Sequence, residues 1–148
     1  MKQSSGGRTR LGVFTISEVF EYVDASPRHG QRVKFHGHRM NMRVTRLLNF
    51  RINGIECVNC GKRGAFFAKE RFGEDRPHLN LYGFDRRGNH ILFTRDHIKP
   101  KSKGGSNHLY NAQTMCLDCN GKKSDIWTLS IMILYYYKKF LSIFKQVE

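Results

Sequence analysis

No carboxylate side chain occurs between Asp24 and Glu56. Arg28, Arg32, Lys34, Arg39, Arg43, Arg46 and Arg51 all fall in that gap, with His29, His36 and His38 among them. A stretch so depleted in one sign has no internal counter-charge and reads as a phosphate-facing surface rather than a solvated face of mixed sign. The imbalance runs through the whole chain. Lysine and arginine total 26 against 12 aspartates and glutamates, a formal net charge of +14 with a sequence pI near 10.0. Such an excess favours a polyanionic partner through counterion release and long-range steering.

Long apolar runs are also lacking. The amino terminus, MKQSSGGRTR, has no apolar stretch of the kind a secretory signal needs, so the expectation is a cytoplasmic protein in a reducing compartment. Residues 126–137, IWTLSIMILYYY, are too short in their uncharged part to span a bilayer. They predict a helix that packs on the core or against a second copy, a possible homodimer, with no membrane expected. No internal repeat and no obvious linker divides the 148 residues, a length that suits one compact core with short extensions.

Cysteine is scarce, and none is left over. Cys57 and Cys60 form one Cys-x-x-Cys pair, Cys116 and Cys119 another. In a reducing setting the thiols are better used on a metal than in disulfides. Two short loops that each aim two sulfurs at one point make a closed tetrahedral site for structural zinc, with no open position for catalysis.

Local patterns give the elements. The first ten residues read as a flexible arm. Thr15 caps a helix whose apolar positions Ile16, Val19, Phe20 and Val23 share one face, and Glu18 completes a capping box. Val33 and Phe35 alternate with basic residues as in a strand, and residues 40–50 predict a basic helix burying Met40, Val44, Leu47 and Leu48. LNLYGFD and HILFTRDHI, joined by RRGN, predict a β-hairpin. A Gly/Ser/Lys loop at 101–107, a short strand at 112–115 and a helix from about Leu117 complete the reading.

One segment carries chemistry. Asp96-His97-Ile98-Lys99-Pro100-Lys101-Ser102-Lys103-Gly104-Gly105, then Asn111, then Cys116-Leu117-Asp118-Cys119-Asn120 and Lys123 resembles the HNH endonuclease superfamily, in the form D-H-I-x-P-x-S-x-G-G, an Asn, and C-x-x-C-N-x-x-K. The resemblance covers residues 57 to about 124. It implies an α+β fold with a small ββα-metal core, a four-cysteine zinc clamp, a basic N-terminal extension and a C-terminal helix. The expected division is residues 1–52 as the DNA-binding extension, 53–125 as the nuclease domain and 126–148 as the apolar helix or tail.

Phosphodiester hydrolysis needs an activated water and charge compensation on the phosphate. His97 is a competent base near neutral pH. Asp96 and Asn120 offer oxygen ligands to a catalytic Mg²⁺ or other divalent cation, leaving positions for water and phosphate. Asn111, the family's middle Asn, is expected to hold the loop and orient His97 by hydrogen bonding. Lys99, Lys101, Lys103, Lys122 and Lys123 are expected on phosphates beside Arg39, Arg43 and Arg46, with double-stranded DNA as the partner. Asn120 stands where some members of the superfamily carry His, a departure that bears on which metal is used. A zinc deaminase is excluded by the lack of H-x-E before P-C-x-x-C. The rival reading is a zinc-stabilised DNA-binding module without catalysis. The small, basic, free-standing form suggests a phage or mobile-element enzyme by analogy.

Overall fold

A computed structural model describes residues 7–27 and 30–144. Arg28 and His29 lie outside them. So do residues 1–6, which held most of the expected arm. The rest of that arm, from Arg8, is not an arm. Arg8–Phe14 is strand β1, which pairs antiparallel with β4 (Gly64–Phe72) at the edge of the main sheet. The expectation missed it because an edge strand with exposed basic residues has no apolar alternation to read.

Helix α1 (Ile16–Ala25) follows, its first turn closed by Thr15 Oγ1 accepting from the Glu18 backbone N–H at 3.2 Å. The capping box is only half made. The Glu18 carboxylate turns instead to His36 Nε2, 2.6 Å away. Val19 and Val23 are buried on the expected face. Strands β2 (Val33–Phe35) and β3 (His38–Met40) form a hairpin across His36 and Gly37, both at positive φ, as a two-residue turn of the primed type requires.

The predicted helix at 40–50 starts late. Met40 ends β3, and helix α2 occupies Thr45–Asn53. Asn41 Oδ1 accepts from the Arg43 backbone N–H at 2.9 Å, an Asx-type turn that diverts the chain before a helix can begin. Met40 and Leu47 are nevertheless buried, and Val44 and Leu48 pack on the core.

Strands β5 (His78–Phe84), β6 (His90–His97) and β7 (Ala112–Cys116) extend the sheet in the order β1-β4-β5-β6-β7, every neighbouring pair antiparallel. The β5–β6 hairpin closes on Asp85, whose carboxylate accepts from the Arg87 and Asn89 backbone, with Gly88 at positive φ. Helices α1 and α2 cover one face: Phe20 and Phe50 meet Phe67, and Asn49 donates to Thr114 Oγ1 at 3.0 Å. Phe35, Met42, Leu81 and Phe93 complete this core, so residues 8–53 share it with the strands that follow. Each such side chain contributes roughly 1.5–3 kcal/mol on burial.

On the opposite face Glu70, 1% exposed, accepts from Arg10 (2.9 and 3.0 Å), Asn80 (2.8 Å) and Tyr82 (2.9 Å), which fixes β1 in register. Helix α3 (Leu117–Lys123) packs on this face against β6 and β7. β6, β7 and α3 make the ββα unit of an α+β fold, as expected. Helix α4 (Leu129–Phe144) buries Tyr135 against Tyr110 and Trp127. It leaves Ile133, Tyr136, Tyr137, Phe140 and Ile143 exposed. No helix among the described residues is long and apolar enough to cross a membrane.

Candidate functional site

The four cysteines converge from distant points in the chain. Cys57 and Cys60 sit in a knuckle after α2, where Gly61 at φ +70° lets its N–H return to the Cys57 carbonyl at 2.9 Å. Cys116 ends β7, and Cys119 lies in the first turn of α3. None is in a disulfide, and all four sulfurs lie within 4.8 Å of one another. Cys60 and Cys116 are 3.8 Å apart. A tetrahedron with zinc–sulfur bonds of about 2.3 Å has edges of roughly 3.8 Å, so the donor set and its spacing fit such an ion.

The electrostatics agree. Burial, and the neighbouring thiols it crowds in, push Cys116 up to about 12. Burial also raises Cys57, but backbone N–H groups of Cys116, Cys60 and Asn59 outweigh it and hold that thiol at about 7. Four thiols packed this closely resist shared ionisation, and a divalent cation is what relieves the repulsion. Asn59 Nδ2 donates to Cys119 Sγ at 3.3 Å, a hydrogen bond that steadies the sulfur from outside the cluster. The clamp ties the start of β4 to the β7–α3 junction, enclosing the three-stranded meander β4–β6.

Asp96 and His97 are the last two residues of β6 and point to opposite faces, as strand alternation dictates. Asp96, 7% exposed, faces α3. Its carboxylate accepts from Gln113 Nε2 at 2.8 Å, the residue directly opposite it on β7, and pairs with Lys123 Nζ at 3.0 Å. Asn120, one helical turn before Lys123, donates through Nδ2 to Thr94 Oγ1 at 2.9 Å, and its amide oxygen meets no donor among the described residues. Thr94 is two residues before Asp96 and shares its face. A carboxylate and an amide oxygen are donors for a hard cation such as Mg²⁺. Lys123 already engages the carboxylate, so a cation there shares it with, or displaces, an ammonium on a flexible stem.

On the other face His97 Nε2 meets Asn107 Oδ1 at 3.0 Å. With an amide oxygen opposite it, Nε2 would be the donor of a neutral ring, which would leave Nδ1 as the acceptor. Arg95 Nη2 donates to the Asn107 carbonyl at 2.7 Å. Asn111, fully buried, accepts from the Lys99 N–H at 2.7 Å and donates to the carbonyls of Lys99 (3.1 Å) and Ser106 (2.8 Å). Thus Asn111 holds the loop, while the ring of His97 is met by Asn107 instead. Gly104 has φ +80°, and a Cβ at Gly105 would overlap the Lys99 carbonyl oxygen, so both glycines are needed to close this loop.

Lys101, Lys103 and Lys122 are exposed. Lys99 leans the other way, its Nζ 6.0 Å from the Tyr135 ring centre. Arg39 is exposed and donates to the Arg32 carbonyl, Arg43 donates to the Val23 carbonyl, and Arg46 is half-buried. Sequence reasoning missed Thr94, Asn107 and Gln113. Their signal is positional, since only the strand register puts Gln113 opposite Asp96.

A ββα unit that joins a thiolate cluster to a second, oxygen-donor site is the framework of a metal-binding protein. The family model described as HNH endonuclease matches residues 85–125, which hold β6, β7, α3 and every candidate catalytic residue. Cys57 and Cys60 fall outside the match. The matched family comprises nucleases, which use divalent metals and act on nucleic acid. No curated protein and no solved structure matches the chain.

Proposed function

We propose that this protein is a metal-dependent endonuclease that hydrolyses phosphodiester bonds of double-stranded DNA, in the cytoplasm of a bacterial or phage-infected cell. The carrying observation is the end of β6, where Asp96 and Asn120 lie on the α3 side and His97, its Nε2 against Asn107 Oδ1, on the other. In this reading zinc sits on Cys57, Cys60, Cys116 and Cys119, and a divalent cation on Asp96 and Asn120, where it supplies charge compensation to the phosphate. His97 Nδ1 takes the proton of the attacking water, and Asn107 fixes the tautomer that makes this possible. Asn111 keeps the loop closed beneath them. Lys101, Lys103 and Lys123 meet phosphates, and residues 1–52 add affinity through Arg39, Arg43 and Arg46. The exposed apolar residues of α4 support a homodimer.

One observation favours a second reading, a binding module without catalysis: Lys123 already neutralises Asp96. Plasmid nicking with Mg²⁺ and with EDTA separates the two. The endonuclease nicks in Mg²⁺ and stops in EDTA. His97→Ala abolishes cleavage with fold and DNA binding kept, while Asp96→Ala and Asn120→Ala respond in part to raised Mg²⁺ or Mn²⁺. Wild type inert on every duplex refutes the nuclease, and near wild-type cutting by His97→Ala refutes the assigned base.

A further inference from the structure

Beyond the Leu81–Phe93 pair, β5 and β6 part. β6 continues to His97 paired only with β7, and β5 runs back to His78 paired only with β4. The split opens a cleft of about 270 Å³ lined by Thr45, Arg46, Asn80, Leu92, Thr94 and Arg95, among others. Arg46 enters it from the first turn of α2, a helix whose N-cap, Val44, offers no side-chain acceptor.

Two guanidinium groups therefore line one cleft, and neither has its charge matched. The Nε atoms of Arg46 and Arg95 are both buried without a hydrogen-bond partner. Among the described residues no carboxylate makes an ion pair with either one. Arg95 spends one Nη on the Asn107 carbonyl. Burial lowers the pKa of both groups, and only Arg95 has a carboxylate, that of Asp96, acting against it. Two guanidinium Nε atoms buried without a partner, on side chains that no carboxylate pairs with, carry a cost that an incoming anion would offset.

We propose that this cleft is a phosphate seat, which takes one backbone phosphate of a nucleic-acid strand between Arg46 and Arg95. The planar fork of arginine suits a phosphate's oxygens, and Thr45, the first residue of α2, lines the same cleft. The seat adjoins the candidate catalytic residues. Thr94 lines the cleft and accepts from Asn120, and Arg95 precedes Asp96. A strand held here at one phosphate is held in register with the end of β6. The proposal rests on the nucleic-acid reading above but not on cleavage.

The test uses the full chain, zinc-loaded and with no added Mg²⁺, with a fluorescently labelled duplex titrated across a range of salt, and thermal unfolding with and without inorganic phosphate. Arg46→Gln should bind roughly tenfold more weakly and lose roughly one unit of the salt slope, the value of one phosphate contact. Arg46→Lys, which keeps the charge and loses the fork, should fall between. Phosphate should raise the melting temperature of wild type and not that of Arg46→Gln. Folded Arg46→Gln with wild-type affinity and slope overturns the proposal. So does a phosphate-dependent melting shift with no change in duplex binding, which would assign the cleft to free phosphate. Should Arg46→Gln fail to fold, Arg46→Lys and Arg95→Lys carry the same comparison, and wild-type slopes in both overturn it. A wild type that binds with the predicted slope yet never nicks removes the nuclease and leaves the seat standing.

Discussion

Replacing Asn111 with Ala removes a side chain that is fully buried and makes three hydrogen bonds, to the Lys99 N–H, the Lys99 carbonyl and the Ser106 carbonyl. A typical bond contributes roughly 0.5–1.5 kcal/mol net, and a buried group left unpaired costs about 1–3 kcal/mol. Water can reach part of an opened loop, so the expected loss is about 3 kcal/mol rather than the full sum. Urea unfolding followed by circular dichroism reads it as a lower midpoint with an unchanged slope. Asn111→Asp should not rescue the fold. It keeps an acceptor for the Lys99 N–H but sets a carboxylate against two carbonyl oxygens. Nicking by Asn111→Ala should drop because the 99–106 loop loosens, and lower temperature should restore part of it. A loss below 1 kcal/mol together with abolished nicking would refute this account, since Asn111 would then be acting on the chemistry rather than on the loop.

Three further outcomes are expected. Purified protein should carry about one zinc per chain by elemental analysis, and Cys119→Ser should lower stability by several kcal/mol, roughly the scale of a lost structural metal; folded, active, zinc-free protein would contradict this. Glu70 is buried, which raises its pKa, but hydrogen bonds from Asn80, Arg10 and Tyr82 outweigh that and hold it below the ordinary carboxylate range. Its stabilisation is therefore present above that range and lost as pH falls through the depressed value, so Glu70→Gln should cost about 2 kcal/mol near neutral pH and flatten the acid limb of a stability–pH curve. Replacing Lys123 with Met frees the Asp96 carboxylate, and should lower the Mg²⁺ concentration for half-maximal nicking while reducing the maximal rate; an unchanged Mg²⁺ dependence would show that Lys123 and the cation do not compete.

Much that is local in the chain was legible without coordinates, though the Asx turn that delays α2 was missed. The Thr15 cap, the β5–β6 hairpin and the two Cys-x-x-Cys knuckles rest on contacts a few residues apart or on spacing that one turn enforces, and the Asp96-to-Lys123 segment was read through its resemblance to the HNH superfamily. Tertiary structure decided the rest. It drew Arg8–Phe14 into the sheet through a buried carboxylate sixty residues away, at Glu70. It set Gln113 opposite Asp96, gave the His97 ring to Asn107 and left Arg46 in the gap where β5 and β6 diverge. Each depends on which strands pair and in what register. A register shift of one residue turns every side chain to the other face, and no short-range pattern fixes that choice.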